Sequence, residues 1–167
     1  MDKELAVQSL TDTMAKFTAY IGKRLPKDVK SKLIELKTLE TNPLAKSIYD
    51  SMDENQEAAD RLNRPSCQDT GVIQYFVEAG AHFPLLGELQ EILREATEEA
   101  TRTGPLRHNA VETFDEKNTG TNTGTQIPWL DWRIVPEQDT CTIDVYMAGG
   151  GCTLPGAAKV LMPGQGY

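Results

Sequence analysis

Residues 64–104 read RPSCQDTGVIQYFVEAGAHFPLLGELQEILREATEEATRTG, and three kinds of pattern succeed one another within them. Arg64–Gly71 collects Pro, Ser, Asp, Thr and Gly, residues that favour turns, so this piece reads as a loop. Val72–Val77 is a short run rich in β-branched and aromatic side chains, the composition of a strand. After Pro84, Leu86, Leu89, Ile92, Leu93, Ala96 and Ala100 share one helical face, while Glu88, Glu91, Arg94, Glu98 and Glu99 fall largely elsewhere. Gly104-Pro105 ends that helix.

Upstream, residues 1–63 read as helical. Leu5, Val7, Leu10, Met14, Phe17 and Ile21 mostly recur at spacings of three and four. Pro26 suits a first helical position, with Asp28 in the favourable first turn, and Val29, Leu33 and Leu36 form a second amphipathic stripe. Thr41 or Asn42 can cap a third helix that starts at Pro43 and carries Leu44, Ile48, Met52, Ala59 and Leu62 on one face. Downstream, Trp129–Val135 reads as a strand stopped by Pro136. Thr142–Met147 alternates, with Ile143, Val145 and Met147 facing one way and Thr142, Asp144 and Tyr146 the other. Together these pieces predict a mixed α+β fold: a helical N-terminal region (1–63), then short strands with one long intervening helix (64–167), in a single domain. Strand order is not readable from the pattern. The closing stretch, Pro155–Tyr167, holds two prolines and three glycines and no terminal helix or strand, so it reads as a cut.

The 167 residues are 39% hydrophobic and 25% charged, a globular composition for about one domain. The net charge of -8 argues against nonspecific nucleic-acid binding, which rests on Lys and Arg meeting phosphates. It leaves an anionic small substrate open, because a dicarboxylate site needs only a few convergent cations and donors. No run approaches a membrane span, and the charged start, Met1-Asp2-Lys3-Glu4-Leu5, lacks the apolar core of a secretory signal. A cytoplasmic location is expected. Cys67, Cys141 and Cys152 are odd in number and include no CxxC pair, so neither a disulfide framework nor a local zinc knuckle is expected.

Four segments could carry chemistry. Cys67 sits in a polar loop just before a strand, with Gln68 and Asp69 beside it; a thiolate there is a candidate ligand or nucleophile, and a buried inert cysteine is the plain alternative. Arg107 could clamp a carboxylate and His108 could handle a proton, against the alternative of a surface ion pair. Gly149–Gly151 follow a strand directly, so successive backbone amides could form an anion-binding nest, or simply a flexible bend. No Lys-Ser/Thr follows as in a P-loop, and no GxGxxG is present. Asn118–Gly124, NTGTNTG, reads as a solvent-exposed turn, with an ordered loop near a site as the alternative.

Taken in order, RPSCQDTG, FPLLGELQEIL, PLRHNAVE, NTGTNTG, MAGGGCTLPG and KVLMPGQGY resemble the class I fumarase family of iron–sulfur hydro-lyases, from about residue 4 to the end and most densely from Arg64. The resemblance implies a [4Fe–4S] cluster held by three cysteines. Cys67 matches the first, the other two are expected beyond residue 167, and Cys141 and Cys152 match none. It further implies substrate contacts from Gln68, Asp69 and Arg107 and a backbone contact from Gly151. The catalytic base would lie outside this chain, and a β subunit would complete an α2β2 assembly. MAGGGCT stands where fumarate-acting members tend to carry a KGGGS-like run, which points to dehydration of L(+)-tartrate to oxaloacetate. The competing readings are a fumarate hydratase component, an inactive fragment that binds no intact cluster, and a small anion-binding module.

Overall fold

The computed structural model describes residues 2–104, 106–153, 160, 162 and 164. Apart from 160, 162 and 164, the closing stretch read above as a cut lies outside the described residues. The elements are α1 (Lys3–Ile21), α2 (Lys27–Leu39), α3 (Pro43–Leu62), β1 (Val72–Gly80), α4 (Leu89–Thr103), β2 (Trp129–Val135), β3 (Cys141–Ala148) and the short α5 (Gly150–Thr153). This is the expected mixed α+β class, with helices first and strands after.

The sheet order is β2-β1-β3. β1 runs parallel to β2, with Gln74 opposite Trp129 and Gly80 opposite Val135. It runs antiparallel to β3, with Val72 opposite Ala148 and Ala79 opposite Cys141. Alternate residues of β1, namely Ile73, Tyr75, Val77 and Ala79, are buried on the face that α1 and α4 cover. β3 keeps the predicted alternation, with Ile143, Val145 and Met147 packed against that core.

α1 departs from its predicted stripe. Its buried residues are Thr11, Met14, Ala15, Thr18 and Ala19, while Leu5 and Phe17 are exposed. Close packing is the reason. α1 lies against Ala96 and Ala100 of α4, and a Cβ added at Gly104 would come within 2.6 Å of the Ala19 Cβ. Small residues therefore occupy the seam, where hydrophobicity alone would place large ones.

One polar chain crosses this layer. The Tyr75 hydroxyl, fully buried, lies 3.0 Å from Thr18 Oγ1 and 3.1 Å from Thr97 Oγ1. Thr97 donates its hydroxyl proton to the Leu93 carbonyl at 2.8 Å, so it is left to accept from Tyr75, and Tyr75 in turn accepts from Thr18. Burial pushes the Tyr75 pKa up, so the phenol keeps its proton.

α2 and α3 lie where the sequence places them. Both form, and Asn42 caps α3 by accepting the Leu44 amide at 2.9 Å, with Pro43 at the start. Their apolar stripes, however, are not core. No residue of α2 is buried and Ala59 alone is buried in α3, while Val29, Leu36, Leu44, Ile48, Met52 and Leu62 are exposed. The two helices are joined to each other through Lys37, whose ammonium lies 2.7 Å from both Asp50 and Asp53, and neither supplies a residue to the core cluster that packs on the sheet.

Replacing Tyr75 by Phe keeps the ring and strips the central member of the buried chain. We expect a loss of about 1–2 kcal/mol, the cost of leaving a buried hydroxyl unsatisfied, in urea unfolding followed by far-ultraviolet dichroism. Unchanged stability would mean that Thr18 and Thr97 are satisfied without it.

Candidate functional site

The end of β1 sets the site. Gly71 adopts φ +73°, and a Cβ there would meet the Ala148 carbonyl oxygen at 2.3 Å. Only glycine permits this approach. It brings the Cys67–Thr70 loop, which enters β1, beside the glycine turn that leaves β3.

Asp69 joins the two. Its Oδ1 accepts the Gly71 amide at 2.8 Å, and its Oδ2 accepts the Gly151 amide at 3.1 Å. These backbone donors, Gly151 first and Gly71 next, hold the Asp69 carboxyl below its usual pKa. The nest that the sequence suggested at Gly149–Gly151 is thus aimed at an anion within the chain. Gly151 and Asp69, both predicted substrate contacts, contact each other.

Arg107 is brought to the same place by groups the sequence did not single out. Its amide donates to Thr70 Oγ1 at 3.0 Å, and its carbonyl accepts from Asn122 Nδ2 at 2.7 Å. Asn122 Oδ1 accepts the Asn109 amide at 2.6 Å, and Asn109 Nδ2 donates to the Gly71 carbonyl at 3.2 Å. Asn122 and Thr123 are buried, which corrects the reading of NTGTNTG as a solvent-exposed turn. Asparagine serves turns and buried networks with the same amide, so composition does not separate the two uses.

Cys67, Gln68, Arg107 and His108 border one cavity of about 600 Å³. Cys67 is exposed rather than buried, and its thiol lies 3.8 Å from Gln68 Oε1. A second cavity of about 520 Å³ is lined by Gln68, Leu106, Arg107, His108 and Asn109. A third, of about 750 Å³, also borders His108 but is lined by Asp12, Glu95, Glu98 and Glu99, whose charge disfavours an anionic ligand. The surface ion pair considered for Arg107 does not form: among the described residues no carboxylate pairs with it.

The thiols differ in their fitness for a metal. Cys67, accessible at a cavity wall, suits one ligand position. Cys141 is half-buried against the core, and burial pushes its pKa up, which disfavours the thiolate a metal needs. The side chain of Cys152 lies outside the described residues. Among the described residues no group of three or more His, Cys, Asp or Glu could hold a metal ion.

The sequence belongs to the family described as fumarate hydratase (Fumerase), which it matches over residues 11–167. Within that family it is similar to L(+)-tartrate dehydratase subunit alpha of Escherichia coli strain K12, 58% identical over 166 residues, covering 99% of this chain and 55% of the relative. The subunits of that name from Shigella boydii serotype 4 (58% identical) and Escherichia coli strain UTI89 (59% identical) are matched over the same 99% of this chain and 55% of theirs. The chain thus spans about half the length of the curated relatives it matches.

Asp69→Asn replaces an acceptor oxygen by a donor nitrogen and removes the charge. Amide hydrogen exchange at Gly71 and Gly151 should quicken by about tenfold, the scale of one charge-assisted hydrogen bond, with the middle of β1 unaffected. The sign in pH follows from the lowered pKa: the tie is fully present above the ordinary carboxylate range and is lost as pH falls through the lower, folded value. Equal protection in D69N and wild type would show that the carboxylate is not what joins the two turns.

Proposed function

We propose that this chain is part of the α subunit of an iron–sulfur hydro-lyase that dehydrates L(+)-tartrate to oxaloacetate, and that it supplies one cluster ligand and part of the substrate cradle. The observation that carries the reading is that Cys67, Gln68 and Arg107, forty residues apart in sequence at the extreme, border one cavity. The similarity to tartrate dehydratase α subunits supports the choice of substrate. Fumarate hydration is the runner-up within the same chemistry.

Cys67 would hold one corner of a [4Fe–4S] cluster. When bound by three cysteines, such a cluster leaves one iron without a protein ligand, which supplies Lewis acidity toward a substrate hydroxyl and carboxylate. The chain's own residues do the rest of what it contributes. Arg107, with no carboxylate partner among the described residues, would pair with a carboxylate of the substrate. Gln68, at the lip of both cavities, can donate its amide to a substrate oxygen. Asp69 keeps the cysteine loop and glycine turn in register. In the overall reaction a proton leaves one carbon and hydroxide the next, and the enol so formed becomes the keto acid. The base for that proton would come from elsewhere in the assembly.

The β subunit of an α2β2 enzyme and a cytoplasmic location belong to the same proposal. The relatives' name, subunit alpha, supports a protein partner. The exposed apolar stripes of α2 and α3, and Phe76, Trp129 and Tyr146 exposed on the sheet, supply surface for further protein to cover.

The test is anaerobic iron and sulfide analysis with an absorption spectrum after cluster reconstitution. It is run on this chain alone and together with the remaining half of the relatives' subunit and the β subunit. A four-iron cluster appearing only in the completed assembly, and absent there in Cys67→Ala, is the expected result. A cluster indifferent to Cys67 would sink the assignment.

A further inference from the structure

The 600 Å³ cavity beside Cys67 has a charge pattern unlike the rest of the molecule. Acidic residues outnumber lysine and arginine by 25 to 17 in the chain, yet no Asp or Glu lines this cavity, whereas Arg64, Arg102, Arg107 and His108 do. The arginines outside it, or at its rim, are mostly answered by carboxylates. Arg24 pairs with Asp60, Arg94 with Glu91 and Glu98, Arg133 with Glu78. Arg102 is held by both oxygens of Glu99, its Nη2 2.7 Å from each. Among the described residues, Arg61, Arg64 and Arg107 have no carboxylate partner, and Arg61 does not line the cavity. Among the described residues, two guanidinium groups therefore border one cavity with no carboxylate in ion-pair contact with them.

The backbone that carries Arg64 is fastened. Its amide donates to the Ala59 carbonyl at 2.9 Å, where Asn63 in the left-handed conformation ends α3. Two residues on, the Ser66 amide donates to the Gly22 carbonyl at 3.1 Å and the Ser66 carbonyl accepts from Asn55 Nδ2 at 2.7 Å. Arg107 is fastened equally through Thr70 and Asn122. A planar guanidinium on a fixed backbone suits a carboxylate, since its fork of donors matches the two oxygens and less freedom is lost on binding.

We propose that Arg64 is a second carboxylate-binding residue, and that Arg64 and Arg107 together clamp the two ends of a four-carbon dicarboxylate. The clamp rests on reading this cavity as the dicarboxylate site. It makes a dianion, rather than a monocarboxylate, the ligand that the cavity selects. The clamp is built from this chain's residues alone and acts without iron.

The test is equilibrium binding of L(+)-tartrate, and of glycolate as a monocarboxylate, to the iron-free 167-residue chain, read by titration of backbone amide shifts. Arg64→Gln should weaken tartrate by about tenfold, the effect of one charge-assisted contact, and leave glycolate unchanged. Arg107→Gln should weaken both. Arg64→Lys, which keeps the charge without the fork, should recover part of the loss. Arg102→Gln, at the same wall but already paired with Glu99, should bind as wild type. If R64Q binds tartrate as wild type does while R107Q is weakened, the clamp is overturned and the site reading stands. If neither variant is weakened, both fail. If the iron-free wild type binds no tartrate, the clamp is overturned, and cluster reconstitution still decides the reading of the site.

Discussion

Strand β1 is hydrogen-bonded along both edges, and that constraint fixes where the flanking strands and the helices that cover the sheet can go. With β2 on one side and β3 on the other, its backbone has no freedom to shift, and burial of Ile73, Tyr75, Val77 and Ala79 settles which face α1 and α4 must cover. A slip of one residue would turn Tyr75 outward and break its bonds to Thr18 and Thr97. The site inherits this rigidity at the strand's first residues, because Gly71 meets Ala148 at the point where the β1–β3 ladder begins. Cys67 and Asp69 are thus mounted four and two residues from a fixed point, which is how a loop can present a thiol in a defined place.

At that fixed point the chain supplies its own anion to its own nest. Backbone amides turned toward one spot attract negative charge, and here Asp69 takes the position. A carboxylate held by two backbone amides is a poor base, since both hydrogen bonds favour its charged form. The arrangement separates two tasks that the sequence left merged in RPSCQDTG. Asp69 organises the turn, while Cys67, Gln68 and Arg107 face the cavity.

The secondary structure was legible where local chemistry decides it. Asn42-Pro43 begins α3, and Trp129–Val135 is the strand its residues predict. Periodicity gave the elements and, in α4 and β3, the face they bury, but not the seam of α1. Phe17 and Leu5 lost the α1 seam to Ala15, Thr18 and Ala19 because helix approach, rather than hydrophobicity, limits that contact. Val29, Leu44 and Ile48 form true amphipathic faces, but whether such a face meets a partner is a tertiary fact that its own sequence does not carry. In the candidate site, Cys67, Gln68 and Arg107 stood out by residue type and by resemblance to a family, and they line one cavity. Asn109 and Asn122 did not, because an asparagine in a turn is common and only distance shows what it holds, nor did Arg64, whose place on the cavity wall only the fold shows.

The cavity also limits what net charge can say. By net charge alone a chain at -8 is a poor host for a dianion, and the cavity of about 750 Å³ is indeed lined by four acids. Beyond about 8–10 Å, however, salt screens exposed charges, so a ligand responds mainly to the groups that touch it. Around Cys67 those groups are guanidinium, imidazole and amide. Keeping carboxylates out of that wall matters as much as placing arginines in it. Each acid there would pair with Arg64 or Arg107, as Glu99 pairs with Arg102, and would remove the cation from use. A surplus of acids elsewhere is compatible with such a site so long as the fold keeps them at a distance, and the fastening of Arg64 and Arg107 through their backbones, rather than through ion pairs, leaves both charges available.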